Sequence, residues 1–395
     1  MKSWSLFALY MFRISFVLVV YTYFVYPLLL FVLYGLAQLR SDVRYLLNRS
    51  DRRVSSRKTE VFPGVTFIVP AYNEEASLSD KIGNLRQMDY PTDRLQIVFI
   101  SDGSTDQTNH ILSTLREENV QVVILPQRMG KPSALNHGVA LARHEILVFS
   151  DSSTLFAPDA VRNLVRHFSD ARVGAVCGSV KLEGNQESQQ TEGTYWKFES
   201  VLRLMESRLG AILNASGAIY ALRRTCYRPL EPGDLIDDFL IPLKARQEGY
   251  RVLEDPEVVA TEFSSDSVKA EFTRRVRLAV GSFRALQKVR LADLRGFTAV
   301  AFVSHKLLRW VLPFLLIVLL VSNLFLLRHP LYRAFFAGQL IFYLWGVTGF
   351  IFRERMKKVR YALIAYFLLT IHFAFLVGFW RWLFGGQEAA WQRVN

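Results

Sequence analysis

Carboxylates and hydroxyls cluster directly after three short apolar runs, and their chemistry is the place to begin. Glu74 and Glu75 follow Pro70, Ala71, Tyr72 and Asn73; Asp102 leads Gly103, Ser104, Thr105 and Asp106; Asp151 leads Ser152 and Ser153. A lone aspartate after an apolar run is ordinarily a helix cap or turn residue, and Thr105 is expected to cap the helix after it. Three such ends together are harder to dismiss. Carboxylates gathered at one edge repel each other unless a cation or a donor-rich ligand joins them.

The surrounding elements are of the kind that would gather them. Residues 65–70, 95–101, 120–125 and 145–150 read as buried strands, and 78–86, 105–118 and 131–142 read as the intervening helices. This alternation predicts an α/β fold, with a mostly parallel sheet covered on both faces and its ligand at the carboxyl ends of the strands. Competing motifs fail. There is no Gly-x-Gly-x-x-Gly, Gly130-Lys131 lacks the upstream glycine of a P-loop, and His144-Glu145 lacks a second zinc-site histidine. Cys177 and Cys226 show no paired spacing and are expected to be structural.

Of the 395 residues, 51% are hydrophobic, and the net charge is +13. Residues 14–37 carry no charge, and neither do 310–327, 334–352 and 361–380; four membrane spans is the plain count. Arg40, Arg44, Arg49, Arg52, Arg53, Arg57 and Lys58 follow the first span, and Arg353, Arg355, Lys357, Lys358 and Arg360 lie between the last two. Both clusters are expected in the cytosol of a plasma or inner membrane protein, with the block between spans. The basic excess then reads as contact with lipid headgroups; no module for nucleic acid is present. Residues 296–310 are expected to form an amphipathic surface helix, and His372 to be the one ionisable group within the spans. Four full spans from an outside start leave 385–395 outside, although Trp391 and Arg393 look cytosolic; the parity stays open.

The segments VTFIVPAYNEE, IVFISDGSTDQT, GKPSALNHGVALARHEILVFSD, IDDFLIP and EFTRRVRLAVG occur in an order that resembles the inverting family 2 glycosyltransferases of GT-A fold. The flanking spans look like those of bacterial polysaccharide synthases. The resemblance implies residues 1–40 as a transmembrane helix, 41–63 as a basic juxtamembrane linker, 64–294 as a GT-A catalytic domain, and 295–395 as an interfacial helix with C-terminal transmembrane helices. It further implies that Pro70, Tyr72 and Glu74 lie against the nucleotide, with plain packing the alternative for Tyr72. Asp102 would bond the base. Lys131 would face the pyrophosphate, or else sit on a solvated helix turn.

Asp151 matches the first acid of the family's DxD metal motif, but Ser153 stands where the second acid would be. Mg²⁺ or Mn²⁺ is still expected, since such a cation can use one carboxylate, diphosphate oxygens and water. Asp238 matches the catalytic base, with Asp237 as competitor or as helix cap. Ser216 and Gly217 would line the acceptor side, Gly217 alternatively serving a turn. Arg277 matches the phosphate-binding arginine of a Gln-x-x-Arg-Trp motif, while Arg274 replaces Gln and Leu278 replaces the acceptor-stacking Trp. The alternative for the arginines is headgroup contact.

The implied activity is metal-dependent transfer from a nucleotide diphosphate sugar, a UDP-sugar foremost, to a glycan or lipid-linked acceptor at the cytosolic face. Processive synthesis is the runner-up, weakened by Leu278. A nucleotide-sugar-binding transporter or a non-catalytic scaffold stands as the alternative from another class.

Overall fold

The structure is a computed structural model describing residues 2–48, 62–183, 186–263, 268–356 and 363–385. Arg49, Arg52, Arg53, Arg57, Lys58, Lys357, Lys358, Arg360, Trp391 and Arg393, used above to argue orientation, lie outside the described residues.

Eight strands form one sheet: β1 (Val65–Ala71), β2 (Leu95–Asp102), β3 (Val120–Leu125), β4 (Ile146–Ser150), β5 (Leu155–Phe156), β6 (Val173–Glu183), β7 (Ile219–Arg223) and β8 (Arg251–Phe263). Their order is β3-β2-β1-β4-β7-β6-β8-β5. The first four neighbours run parallel, as the alternation predicts. The other half is mixed: β7 is antiparallel to β4 and β6, β6 is parallel to β8, and β5 is antiparallel to β8. The sheet is thus parallel by a narrow majority.

Helices α3 (Glu75–Arg86), α4 (Thr108–Ser113) and α6 (Ala160–Val165) cover one face; α5 (Lys131–Ala140) and α8 (Asp237–Gln247) cover the other. Alternation in β1 decides the faces: Val65, Phe67 and Val69 enter the first layer and Ile68 the second. The helix read over 105–118 is confined to α4. Thr105 does not cap it; Asp106 accepts the Thr108 N–H at 3.0 Å, while Thr105 bonds Asn73.

Among the described residues, four helices are long and apolar enough to cross a membrane: Trp4–Leu47, Thr298–Leu324, Pro330–Ile351 and Ile364–Leu383. The first joins α1 (Lys2–Val20) and α2 (Tyr26–Asn48) through a π-helical turn, Tyr21–Val25. At about 1.5 Å per residue it is roughly twice as long as a bilayer core is thick. The second runs through α10 (Thr298–Ala301), another π-helical turn (Phe302–Leu307) and α11 (Leu308–Leu324). Residues 298–310 therefore belong to a membrane-length helix and not to a separate surface helix. His305, Lys306 and Arg309 lie in it, so His372 is not the one ionisable group of the spans. The third is α12 (Pro330–Ile351), followed by the short α13 (Arg353–Met356), and the fourth is α14 (Ile364–Leu383).

The second layer of the core does not stop at the sheet. It continues through α8 and α9 (Val268–Leu286) to Phe302 and Trp310, with Phe379 and Trp382 of α14 packed against it. Phe239 of α8 meets Trp310 edge-on at 5.9 Å, and Phe283 of α9 meets Phe379 at 5.3 Å. Apolar packing thus fixes the sheet domain to the spans. Helix α7 (Gln186–Arg208) completes the junction, its Leu202 and Met205 buried against Tyr26 and Leu30 of α2.

Candidate active site

Strand order reverses between β1 and β4, since β1 pairs with β2 on one side and β4 on the other. A crevice opens at such a switch point, and the segments after β1, β2 and β4 border it. Pro70 is buried at the end of β1. Asn73 adopts a left-handed conformation (φ 53°), and the Glu74 N–H donates to Thr108 Oγ1 at 2.8 Å. The Glu74 carboxylate is buried and accepts from Ser77 Oγ at 2.6 Å. Arg128 stacks on the Tyr72 ring, its guanidinium carbon 3.8 Å from the ring centroid.

Asp102 builds this corner. Its two carboxylate oxygens accept the N–H groups of Met129 (2.7 Å) and Gly130 (2.8 Å). Beside it, Gly103 has φ +66°, and a Cβ there would lie 2.5 Å from the Arg128 nitrogen. Only glycine permits both the turn and the approach. The two residues together hold 128–130 at the N-terminus of α5.

Lys131 begins α5 and points into the crevice. Its ammonium lies 2.8 Å from Asp151 and 3.1 Å from Asp237, which excludes a solvated helix turn. The flanking carboxylates raise its pKa despite burial. Register and one backbone bond bring Asp237 there: Ser150 at the end of β4 pairs with Ile219 at the start of β7, and the Ala215 N–H just before β7 donates to the Asp238 carbonyl at 2.7 Å. Residues 216–218 therefore run beside Asp151, with Ser216 and Ile219 closing a tight bridge. A Cβ on Gly217 would be 3.3 Å from Asp238 Oδ2, so a larger side chain would crowd that carboxylate.

Asp237 and Asp238 occupy the first turn of α8, favourable for negative charge. Asp237 does not cap the helix: the cap position is Ile236, without a side-chain bond. Asp238 is half-buried, and burial, followed by the charge of Asp237, pushes its pKa up to about 6. Pro242, four residues on, has no N–H to donate back. The Asp238 carbonyl is thereby freed from the helix ladder and accepts the Ala215 N–H at 2.7 Å.

Arg277 of α9 has a buried Nε with no hydrogen-bond partner. Burial and then Arg274 lower its pKa, while Asp151, Asp237 and Asp238 act to keep it charged. Arg274 and Arg275 instead pair with Glu271 at 2.8 and 2.7 Å. Leu278 is half-buried, packed against the core, and offers no aromatic face to an acceptor.

Three groups escaped sequence reasoning. Lys81 is fully buried beneath the Asp151 turn, donating to Ser150 Oγ and the Thr154 carbonyl, both at 2.6 Å, and burial lowers its pKa to about 7. Arg128 stacks on Tyr72 with Nε and Nη2 unpartnered. Glu262 of β8, pushed up by burial, lies in electrostatic range of Arg274 and Asp151. None had a local signal: Lys81 sits in an ordinary helical pattern, and Arg128 and Glu262 reach the site only through sheet order.

A divalent cation fits the donor set in one manner. Among the described residues no three His, Cys, Asp or Glu side chains gather as a cage. The Asp151 side chain is 33% exposed, offering hard oxygen to a cation that completes its shell with ligand oxygens and water.

Residues 66–228 match the profile of Glycosyl transferase family 2. The chain is 23% identical over 252 residues to a poly-beta-1,6-N-acetyl-D-glucosamine synthase of Staphylococcus aureus, covering 62% of this chain and 60% of that one. It is 26% identical over 245 residues to an N-acetylglucosaminyltransferase of Mesorhizobium japonicum, covering 57% of each. The chain thus spans about 60% of the length of the curated relatives it matches. Its fold resembles that of the mannosyltransferase PcManGT from Pyrobaculum calidifontis, solved with GDP-Man and Mn²⁺. The TM-score is 0.66 at 22% identity, over 95% of this chain and 100% of that one. The profile match and the shared fold together identify residues 66–228 as a family 2 glycosyltransferase domain of GT-A fold, in a chain that also carries membrane-length helices.

Proposed function

We propose that this protein transfers a sugar with inversion from a nucleoside diphosphate sugar to an acceptor hydroxyl at the cytosolic membrane face, in surface polysaccharide synthesis. The observation that carries the reading is the single ammonium of Lys131 between Asp151 and Asp237. It joins the donor-side turn after β4 to the helix that bears Asp238. A carboxylate with its pKa raised to about 6 is suited to take a proton near neutral pH. The acceptor oxygen forms its bond to the anomeric carbon, the bond from that carbon to the diphosphate oxygen breaks, and the hydroxyl proton passes to Asp238.

Lys131 and the unpartnered Nε of Arg277 supply positive charge for the departing diphosphate. Mg²⁺ or Mn²⁺, held by Asp151 and assisted by Ser153, would supply further neutralisation of that leaving group. Tyr72, Arg128 and Asp102 form the nucleotide end. Ser216 and Gly217 leave room for the acceptor beside Asp238. A UDP-sugar is the first donor to test, and the GDP-Man bound to the structural neighbour makes a GDP-sugar the second.

The acceptor is a glycan or lipid-linked sugar presented at the bilayer, a reading supported by the packing of Phe239 on the second membrane-length helix. Leu278, half-buried against the core, gives a sugar ring no aromatic face to stack on, which favours limited addition over processive synthesis. The test is nucleoside diphosphate release by the full chain across a panel of UDP- and GDP-sugars, with and without Mn²⁺ and a membrane acceptor extract. Release with one donor, abolished in Asp238→Asn, is expected; donor binding without turnover under every condition would defeat the reading and favour a sensor or scaffold.

A further inference from the structure

Outside the crevice, a second set of charged side chains is buried where the sheet domain meets the membrane-length helices. Helix α7 presents Glu199, Arg203 and Glu206 on one face, at the spacing of successive turns. His305 of the second membrane-length helix stands between two of them, with Nδ1 2.7 Å from Glu206 and Nε2 3.1 Å from Glu199. Glu206 also accepts the Tyr26 hydroxyl of the first helix at 2.7 Å. Glu199 pairs with Arg309 at 2.5 Å and faces Lys306 at 3.6 Å. The two π-helical turns meet here too, with the Tyr21 hydroxyl 2.8 Å from Ser304 Oγ. Paired π turns are a costly local geometry that recurs at functional sites.

From this junction α7 carries the path to Arg203, and direct bonds lead on from there to the site. Arg203 donates through Nε to Glu254 of β8 at 2.7 Å and through Nη1 to the Ala215 carbonyl at 3.1 Å. The Ala215 N–H in turn holds the Asp238 carbonyl that Pro242 leaves free. Glu199 is met by His305, Lys306 and Arg309, Glu206 by His305 and Tyr26, and Glu254 by Arg203. Removing Arg203 strands the buried Glu254 carboxylate, and removing His305 takes a partner from two buried acids at once.

We infer that Arg203 and His305 are positioning residues: acting through α7 and Ala215, they set Asp238 relative to the first two membrane-length helices. The inference rests on Asp238 being the base. Neither residue touches Tyr72, Asp102 or Lys131, so donor binding is independent of them. Misplacing a reacting group by about 1 Å can cost about a hundredfold in rate.

The test uses the full chain in detergent or nanodiscs, measuring kcat, donor Kd and thermal melting for Arg203→Met, Arg203→Lys and His305→Gln. Both Arg203→Met and His305→Gln should lower kcat about tenfold or more with donor Kd unchanged. Lysine can keep the pair with Glu254 but cannot also reach Ala215 as the guanidinium fork does. Arg203→Lys should therefore restore melting without restoring kcat. Recovery of both together, or losses of kcat that follow donor Kd, would reduce the network to scaffolding and overturn the inference. Asp238→Asn run in parallel separates the two readings. An active Asp238→Asn would sink the base assignment, and an inactive one beside a fully active Arg203→Met would sink the positioning role alone.

Discussion

Asp238 carries the sharpest expectations at the scale of single residues. Burial raises its pKa to about 6, and a base works only when ionised, so kcat should rise with pH along an acid limb centred near that value. Asp238→Asn should cost roughly 10²- to 10⁴-fold in kcat while donor binding persists. The same shift has a stability sign. A carboxyl whose native pKa is raised binds its proton more tightly when folded, so ionising it weakens the fold as pH rises from the unfolded pKa through the folded one. Asp238→Asn should therefore be more stable than the parent at neutral pH, by up to about 3 kcal/mol, and about equally stable near pH 4. Lys131→Met is expected to act oppositely. It leaves Asp151 and Asp237 facing each other, which should cost about 1–3 kcal/mol at this partly exposed site, and Mn²⁺ should recover part of that in a melt. Lys131 also holds the Asp238 pKa down, so the acid limb of the variant should move to higher pH.

At the scale of elements, α8 and α9 decide whether the site is assembled. Pro242 is an unusual residue inside a helix, and its value lies in the hydrogen bond it withholds. Pro242→Ala restores an N–H that competes for the Asp238 carbonyl; kcat should fall several-fold while the melting temperature holds or rises. A fall in both would mean the proline is merely structural. Helix α9 seats on α14 where Gly378 meets Ala279: a Cβ on Gly378 would come within 2.4 Å of the alanine methyl. Gly378→Val must part the two helices, and overpacking of this kind costs about 1–3 kcal/mol. Because α9 carries Arg277, the variant should also weaken donor binding, readable as a raised donor KM.

For the whole molecule the open quantity is orientation. If the sheet domain faces the cytosol, residue 44 lies inside and residue 328 outside. Cys177 and Cys226 are free but buried, so they should stay silent towards polar thiol reagents. In intact cells Arg328→Cys should label with an impermeant reagent, and Arg44→Cys only after the membrane is opened. The reverse pattern would put the catalytic domain outside and remove the cytosolic donor pool from the argument. The core continues from the sheet into the spans through Phe239, Trp310, Phe283 and Phe379, so delipidation should lower activity and sheet-domain melting together.

What the amino-acid sequence determined by itself was everything encoded by local periodicity. Strand alternation located β1 to β4, unbroken apolar runs located the membrane-length helices, and Asp102 and Asp151 stood out because polar groups end buried strands. The motif order singled out Asp238 and Arg277 as candidates. Packing decided the rest. The antiparallel half of the sheet, the start of the second membrane-length helix at Thr298, and the packing of Leu278 against the core each depend on partners far away in the chain. So do the pairing of Lys131 with Asp151 and Asp237, the buried Lys81, and the charged junction around His305. A side chain's role there is set by the charge or lone pair opposite it, and only the folded chain brings those groups within a few ångströms.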